Sequence, residues 1–205
     1  MFRIRILVAL ITVVVLSVYL YQNHRTAVLD VVSYIQTTIG VGGVKGLAGP
    51  VQLVRVSDGD TIVVRLNRKN ESIRLIGIDT PEKFQSTKLE RDAAESPLTK
   101  EEIKRLGESA SDITESLLIG KQIYLEFDAT ERDRYGRLLA YVYTKDLTGE
   151  WLFDGEVFEQ VNLEIVRSGW AEPLTIPPNV RYANRYVEAS REAREADKGM
   201  WRVLD

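Results

Sequence analysis

The 205-residue sequence predicts an α+β fold, a small closed barrel of five strands with about three helices, preceded by an N-terminal hydrophobic helix. Three observations carry this expectation. Short β-rich runs are separated by turn signals, of which Asp58-Gly59 is the clearest. Helical patterns with recognisable starts and stops lie between and after those runs. One uncharged apolar run stands apart near the N-terminus, and the remainder, in a chain that is 44% hydrophobic and 28% charged, has the composition of an ordinary globular domain.

The apolar run is Ile6 to Tyr21, preceded by Arg3 and Arg5. It is slightly shorter than the roughly 20 residues that span a bilayer, with Tyr19 and Tyr21 suited to an interface. A cleaved signal peptide is the competing reading, but the stretch from Ser17 to Arg25 offers no good small-x-small cleavage site. Residues 1–26 are therefore read as a transmembrane signal anchor, with the domain membrane-anchored and extracytoplasmic, or secreted if the segment is cleaved. Arg25, on the far side, weakens the orienting bias of the two N-terminal arginines. Residues 27–50 read as a linker, mildly apolar at first and then glycine-rich from Gly40 to Gly49.

The domain is expected over residues 51–205. Val51 to Val56 and Thr61 to Leu66 form a hairpin around Ser57-Asp58-Gly59-Asp60. Ser72 to Ile78 is a third strand, closed by Asp79-Thr80-Pro81-Glu82, because Pro81 cannot continue the ladder. Lys83 to Pro97 reads as a polar surface loop, with a gate over a cleft as the other reading. Ser96 or Thr99 caps a helix that runs to Leu118 and stops at Gly120. Gln122 to Phe127 and Leu138 to Thr144 complete five strands, which suits an OB-like barrel. Asn162 to Ser168 and Tyr182 to Asp197 are helical, stopping at Gly169 and Gly199. Before them, in Lys145 to Gln160, Trp151, Phe153 and Phe158 make either a satellite apolar cluster or a contact surface.

Residue inventory restricts the chemistry. The chain has no cysteine and a single histidine, His24, which precedes the domain. Thiolate nucleophiles, Ser-His-Asp triads and His-rich zinc sites are thereby excluded from it. The net charge of −3 argues against coating nucleic acid by bulk positive charge, but not against a few arginines gathered in one cleft. Any catalysis would have to run on carboxylates, Lys, Arg, Tyr, hydroxyls and oxygen-liganded metals.

Read without any family, Asp58-Gly59-Asp60 is a turn or part of a metal site. Asp79 and Glu82 add carboxylates at another strand end, and a cluster of carboxylates needs a cation or protons. A hard, oxygen-preferring ion such as calcium suits such donors. Arg74 within an apolar strand reads as a solvated or salt-bridged side chain. Arg137, in Asp133-Arg134-Tyr135-Gly136-Arg137, is either part of a polar turn or a planar fork for a phosphate.

Taken together, Asp58-Gly59-Asp60-Thr61, Arg74-Leu75-Ile76-Gly77-Ile78-Asp79-Thr80-Pro81-Glu82 and Asp133-Arg134-Tyr135-Gly136-Arg137-Leu138-Leu139-Ala140-Tyr141 resemble the staphylococcal nuclease (thermonuclease) family. Asn162, Val166 to Ala171 and Ala193 to Trp201 are similar to its later helices, so the resemblance spans about Val51 to Trp201. It implies an OB-like barrel with helices and calcium-dependent hydrolysis of DNA and RNA phosphodiesters; separately, the chain is expected to be a monomer. Asp60 and Asp79 would ligate calcium through carboxylates and Thr80 through its backbone carbonyl. Glu82 would take a proton from the attacking water or orient it, and Arg74 and Arg137 would hold the phosphate. The alternative is a barrel that binds nucleic acid or protein at the cell envelope without catalysis. Two features depart from the family: a longer Lys83–Pro97 segment, and Glu172-Pro173-Leu174-Thr175-Ile176-Pro177-Pro178 where the family has tyrosines. One conflict is visible in the pattern. Arg74 and Asp79 have opposite strand parity, so they meet only if the chain bends, with Gly77 the expected place.

Overall fold

The computed structural model describes residues 46–204. The expected N-terminal hydrophobic helix and signal anchor, and most of the expected linker, lie outside these residues. No helix among the described residues is long and apolar enough to cross a membrane.

Five strands close the barrel: β1 (Ala48–Asp58), β2 (Thr61–Leu66), β3 (Lys69–Leu75), β5 (Ile123–Glu126) and β6 (Leu138–Lys145). β2 pairs antiparallel with β1 and β3, β1 with β5, and β5 with β6, while a parallel β3–β6 pairing completes the circle. The inward faces follow from strand alternation. Ile62, Val64, Ile73, Leu75, Leu125, Ala140 and Val142 are buried in one core cluster. β1 begins before the expected start at Val51, with Leu47 already buried in that cluster, so the linker ends earlier than its glycine content suggested.

β4 (Gly77–Asp79) leaves the barrel and pairs with β9 (Glu172–Leu174) in a separate two-stranded sheet. The break falls at Gly77, whose φ of +83° ends β3 and turns the chain. A Cβ at this position would stand 2.4 Å from Cε2 of the buried Tyr186. The Gly77→Ala variant is accordingly expected to lose about 2 kcal/mol or more, since the left-handed conformation alone costs roughly 1–2 kcal/mol. A thermal melt unchanged from wild type would contradict this account of the bend.

The helices are α1 (Thr87–Glu95), α2 (Lys100–Leu118), α3 (Val161–Arg167), α4 (Ala183–Glu195) and the short α5 (Trp201–Leu204). α1 corrects the expected polar loop. Its Ser86 hydroxyl caps the Leu89 N–H at 3.0 Å, and Leu89 is its one buried residue. Leu89 is its one strongly apolar anchor amid charged residues, and the low overall hydrophobicity of the segment masks its amphipathic pattern in sequence. α2 starts where expected, with a reciprocal capping box between Thr99 and Glu102.

A hairpin of β7 (Trp151–Phe153) and β8 (Glu156–Gln160) extends the sheet from β6. Its aromatics turn inward. Phe158 is buried, and Trp151 packs edge-on against Tyr143 and Tyr182, at ring distances of 5.7 and 4.7 Å. The contact-surface reading of Trp151 and Phe153 is therefore replaced by that of a core extension, held by Tyr182 at the start of α4. The fully buried Asn162 ties α3 to the barrel, accepting from the Val142 N–H at 2.8 Å and donating to the Ile76 carbonyl at 2.9 Å.

Candidate active site

Strand register gathers the predicted residues at one end of the barrel. Thr61 on β2 stands opposite Arg74 on β3, and Ile73 and Arg74 stand beside Leu138 and Leu139 on β6. Asp60 in the β1–β2 turn, Arg74 at the end of β3 and Arg137 just before β6 are thus brought to a common rim. The bend at Gly77 adds Asp79. α2 fixes the turn that carries Asp60, because the Thr114 hydroxyl donates to the Gly59 carbonyl at 2.6 Å. α2 also supports the segment that carries Glu82. Gly107 lies so close to it that a Cβ would be 2.6 Å from the Pro81 oxygen and 2.7 Å from the Glu82 carbonyl carbon.

These residues line a cleft of about 970 Å³ that also includes Tyr135, Leu174, Ile176 and Lys88. Asp60, Arg74, Asp79, Glu82 and Arg137 line it, while Thr80 follows Asp79 directly but is not among the lining residues. The Arg74 guanidinium is held at several points. Nη1 donates to the Leu75 and Ile78 carbonyls at 3.0 and 2.8 Å, and Nη2 lies 2.9 Å from Asp60 Oδ2 and 3.2 Å from Asp79 Oδ1. The bend thus resolves the parity conflict by folding Ile78 and Asp79 back over the arginine.

Asp60 is only 7% exposed and makes two further contacts. Its Oδ1 accepts from the Thr61 hydroxyl at 2.9 Å and its Oδ2 from the Thr80 N–H at 3.3 Å. Thr61 in turn accepts from Arg137 Nη1 at 3.3 Å, while Arg137 Nε pairs with Asp133 Oδ2 at 2.7 Å. Asp133 also accepts from the backbone N–H groups of Tyr135 and Arg137, so one carboxylate shapes the turn and sets the plane of the guanidinium. These hydrogen bonds and the adjacent Arg137 charge hold the Asp133 carboxyl below the usual range, although its partial burial opposes them.

The site is rich in negative charge. Burial, together with the neighbouring charges of Asp60 and Glu82, pushes the Asp58 carboxyl up to about 6. Asp79 is also raised, chiefly by burial and then by Asp60, with Lys88 and Arg74 acting in the opposite direction. Lys88 is a residue that the sequence pattern did not reveal. Its ammonium donates to the Thr80 carbonyl oxygen at 2.9 Å and lies 3.3 Å from Asp79 Oδ2, 3.6 Å from Glu82 Oε1 and 3.1 Å from Asp92 Oδ2. Glu82 is further held by the Ser86 hydroxyl, which donates to its Oε2 at 3.1 Å. Thr61 and Asp133, which link Arg137 to Asp60 and to its own turn, were likewise not singled out. Both lie inside the motifs that carry the family resemblance, but neither is given a role there.

Among the described residues, no three His, Cys, Asp or Glu side chains are grouped so as to hold a metal by themselves. The donor chemistry nonetheless fits a hard cation. Asp79 and the Thr80 carbonyl already converge on a positive charge, the Lys88 ammonium, and Asp60 shares the Arg74 guanidinium with Asp79. Two carboxylates and a carbonyl, with water completing the shell, are suitable ligands for calcium.

Residues 72–203 match the family model described as staphylococcal nuclease homologue. The matched stretch includes Arg74, Asp79, Thr80, Glu82 and Arg137 and begins after Asp60. Among curated proteins, the chain is 35% identical over 150 residues to a thermonuclease of Staphylococcus hyicus, which covers 73% of this chain and 74% of that protein. It is 33% identical over 147 residues to a thermonuclease of Staphylococcus intermedius, covering 72% and 73%. It is 31% identical over 153 residues to endonuclease YncB of Bacillus subtilis, covering 74% of this chain and 61% of that protein.

Proposed function

Because the chain belongs to the staphylococcal nuclease family, we propose that it is a calcium-dependent phosphodiesterase that hydrolyses DNA and RNA with little sequence preference. The observation that carries this reading is the convergence of Asp60, Arg74, Asp79, Glu82 and Arg137 on one rim, two of them through contacts with Arg74 at 2.9 and 3.2 Å. Asp60, Asp79 and the Thr80 carbonyl would hold the calcium. When bound, that ion offsets the negative charge of the phosphodiester and assists formation of the attacking nucleophile.

The remaining chemistry belongs to the side chains. Glu82 accepts a proton from the attacking water, its carboxylate aimed by the Ser86 hydroxyl. Arg74 and Arg137 present planar, permanently charged forks to the phosphate oxygens as negative charge builds on them. Arg74 is positioned by two backbone carbonyls and by the Asp60 and Asp79 carboxylates, and Arg137 by Asp133, so both guanidiniums stand at the rim before substrate arrives. Leu174, Ile176 and Tyr135 give the cleft an apolar margin suited to unpaired bases, which favours single-stranded or unwound substrate.

The N-terminal run Ile6–Tyr21 supports a domain tethered to a membrane and facing away from the cytoplasm. Retention of the full-length chain in the membrane fraction after a high-salt wash tests this part. The catalytic part is tested with the full chain in detergent, incubated with single-stranded DNA, plasmid DNA and RNA in calcium and then in excess chelator. Cleavage of all three in calcium and none in chelator is expected. Cleavage that survives chelation would contradict the metal-dependent reading.

A further inference from the structure

Lys88 occupies a position with two sides. On one side are the Thr80 carbonyl, Asp79 and Glu82, at 2.9, 3.3 and 3.6 Å, the groups assigned above to the cation and to the base. On the other is Asp92, one turn along α1 at 3.1 Å, which has no part in the proposed reaction. The ammonium is delivered there by a fixed backbone. Ser86 caps α1, the same hydroxyl holds Glu82, and the buried Leu89 anchors the helix. Only the flexible lysine stem has to move for the ammonium to change partners.

From this geometry we infer that Lys88 is a tethered, displaceable cation that competes with calcium for Asp79 and the Thr80 carbonyl. The inference rests on the calcium-dependent reading of the same site. An ammonium and a divalent ion on the same oxygens repel each other and draw on the same acceptors, so each weakens the binding of the other. In the absence of metal, Lys88 keeps the clustered carboxylates paired and the rim assembled. When calcium binds, the ammonium passes to Asp92, which remains within its reach. The device therefore sets the calcium concentration at which the cleft becomes competent, and restricts hydrolysis to calcium-rich surroundings.

The test is calcium titration calorimetry on the full chain in detergent, compared with Lys88→Met, Lys88→Arg and Lys83→Met. Lys83 is the control for general charge, since its ammonium lies over the Phe84 ring at 5.3 Å. The Kd for calcium is expected to fall about 5- to 150-fold in Lys88→Met, the usual range of such coupling. Lys83→Met is expected to lower it much less, and Lys88→Arg, which keeps a cation in place, not at all. By linkage, Lys88→Met should melt below wild type in chelator, and the gap should close in saturating calcium. Unchanged or weaker binding by Lys88→Met, with wild type titrating normally, would overturn the inference while leaving the metal reading intact. Equal effects of Lys83→Met and Lys88→Met would also overturn it. Absence of calcium binding by wild type would overturn the metal reading and this inference together.

Discussion

Glu82→Gln is expected to lower the rate of phosphodiester cleavage by about 10²–10⁴-fold while leaving substrate affinity nearly unchanged. The glutamine is isosteric and can still accept from the Ser86 hydroxyl, which in wild type donates to Oε2 at 3.1 Å. What it loses is the capacity to take a proton from water. The residue sits on a segment buttressed by Gly107 of α2, so the backbone around it should not move. Single-turnover cleavage, with fluorescence anisotropy of a bound oligonucleotide measured in parallel, separates the two quantities. A rate within about tenfold of wild type would reassign Glu82 from proton acceptor to a group that merely balances the charge of Lys88 and its neighbours.

Arg137→Ala is expected to cost about 10²–10³-fold in the same assay, the range for removing one preorganised donor aimed at developing charge. Its side chain is half-buried and its partners are Asp133 and Thr61, so the fold should survive the truncation. Arg137→Lys should recover only part of the rate, because an ammonium cannot reproduce the planar fork or the simultaneous contact with Asp133 Oδ2. Full rescue by lysine would mean that the position supplies charge without geometry. An effect confined to KM would mean that Arg137 binds the ground state and the transition state equally.

The candidate site was legible through motifs rather than through any one residue. Taken singly, Asp58-Gly59-Asp60 reads equally as a turn, Arg74 as a solvated or salt-bridged side chain and Arg137 as part of a polar turn; it is their joint order and spacing, which resemble one family, that picked them out. The bend at Gly77 was also legible, since the opposite parity of Arg74 and Asp79 required one and only a glycine tolerates the φ of +83° found there. Lys88 was not, because a lysine among acidic residues in a polar stretch reads as a solvated surface. Its significance arises only from tertiary packing, when Leu89 docks α1 and points one charge of that helix into the cleft. The same limit applies to β7 and β8. Trp151, Phe153 and Phe158 are equally consistent with a core and with a docking face, and only the register with β6 decides between them. Asp133 and Thr61 were hidden for another reason. Their value lies in connecting Arg137 to Asp60, a relation between residues distant in sequence that no local pattern encodes.

The central claim is that this end of the barrel cuts phosphodiester bonds rather than merely binding nucleic acid. Its most direct test is single-turnover incubation of an end-labelled single-stranded oligonucleotide with excess full-length protein in calcium, resolved by product length. Shortened products whose formation is abolished by chelator and strongly slowed in Glu82→Gln are predicted. An oligonucleotide that is bound at saturation yet remains intact would contradict the claim, and would identify the barrel as a binding module that retains its carboxylates and arginines for another purpose.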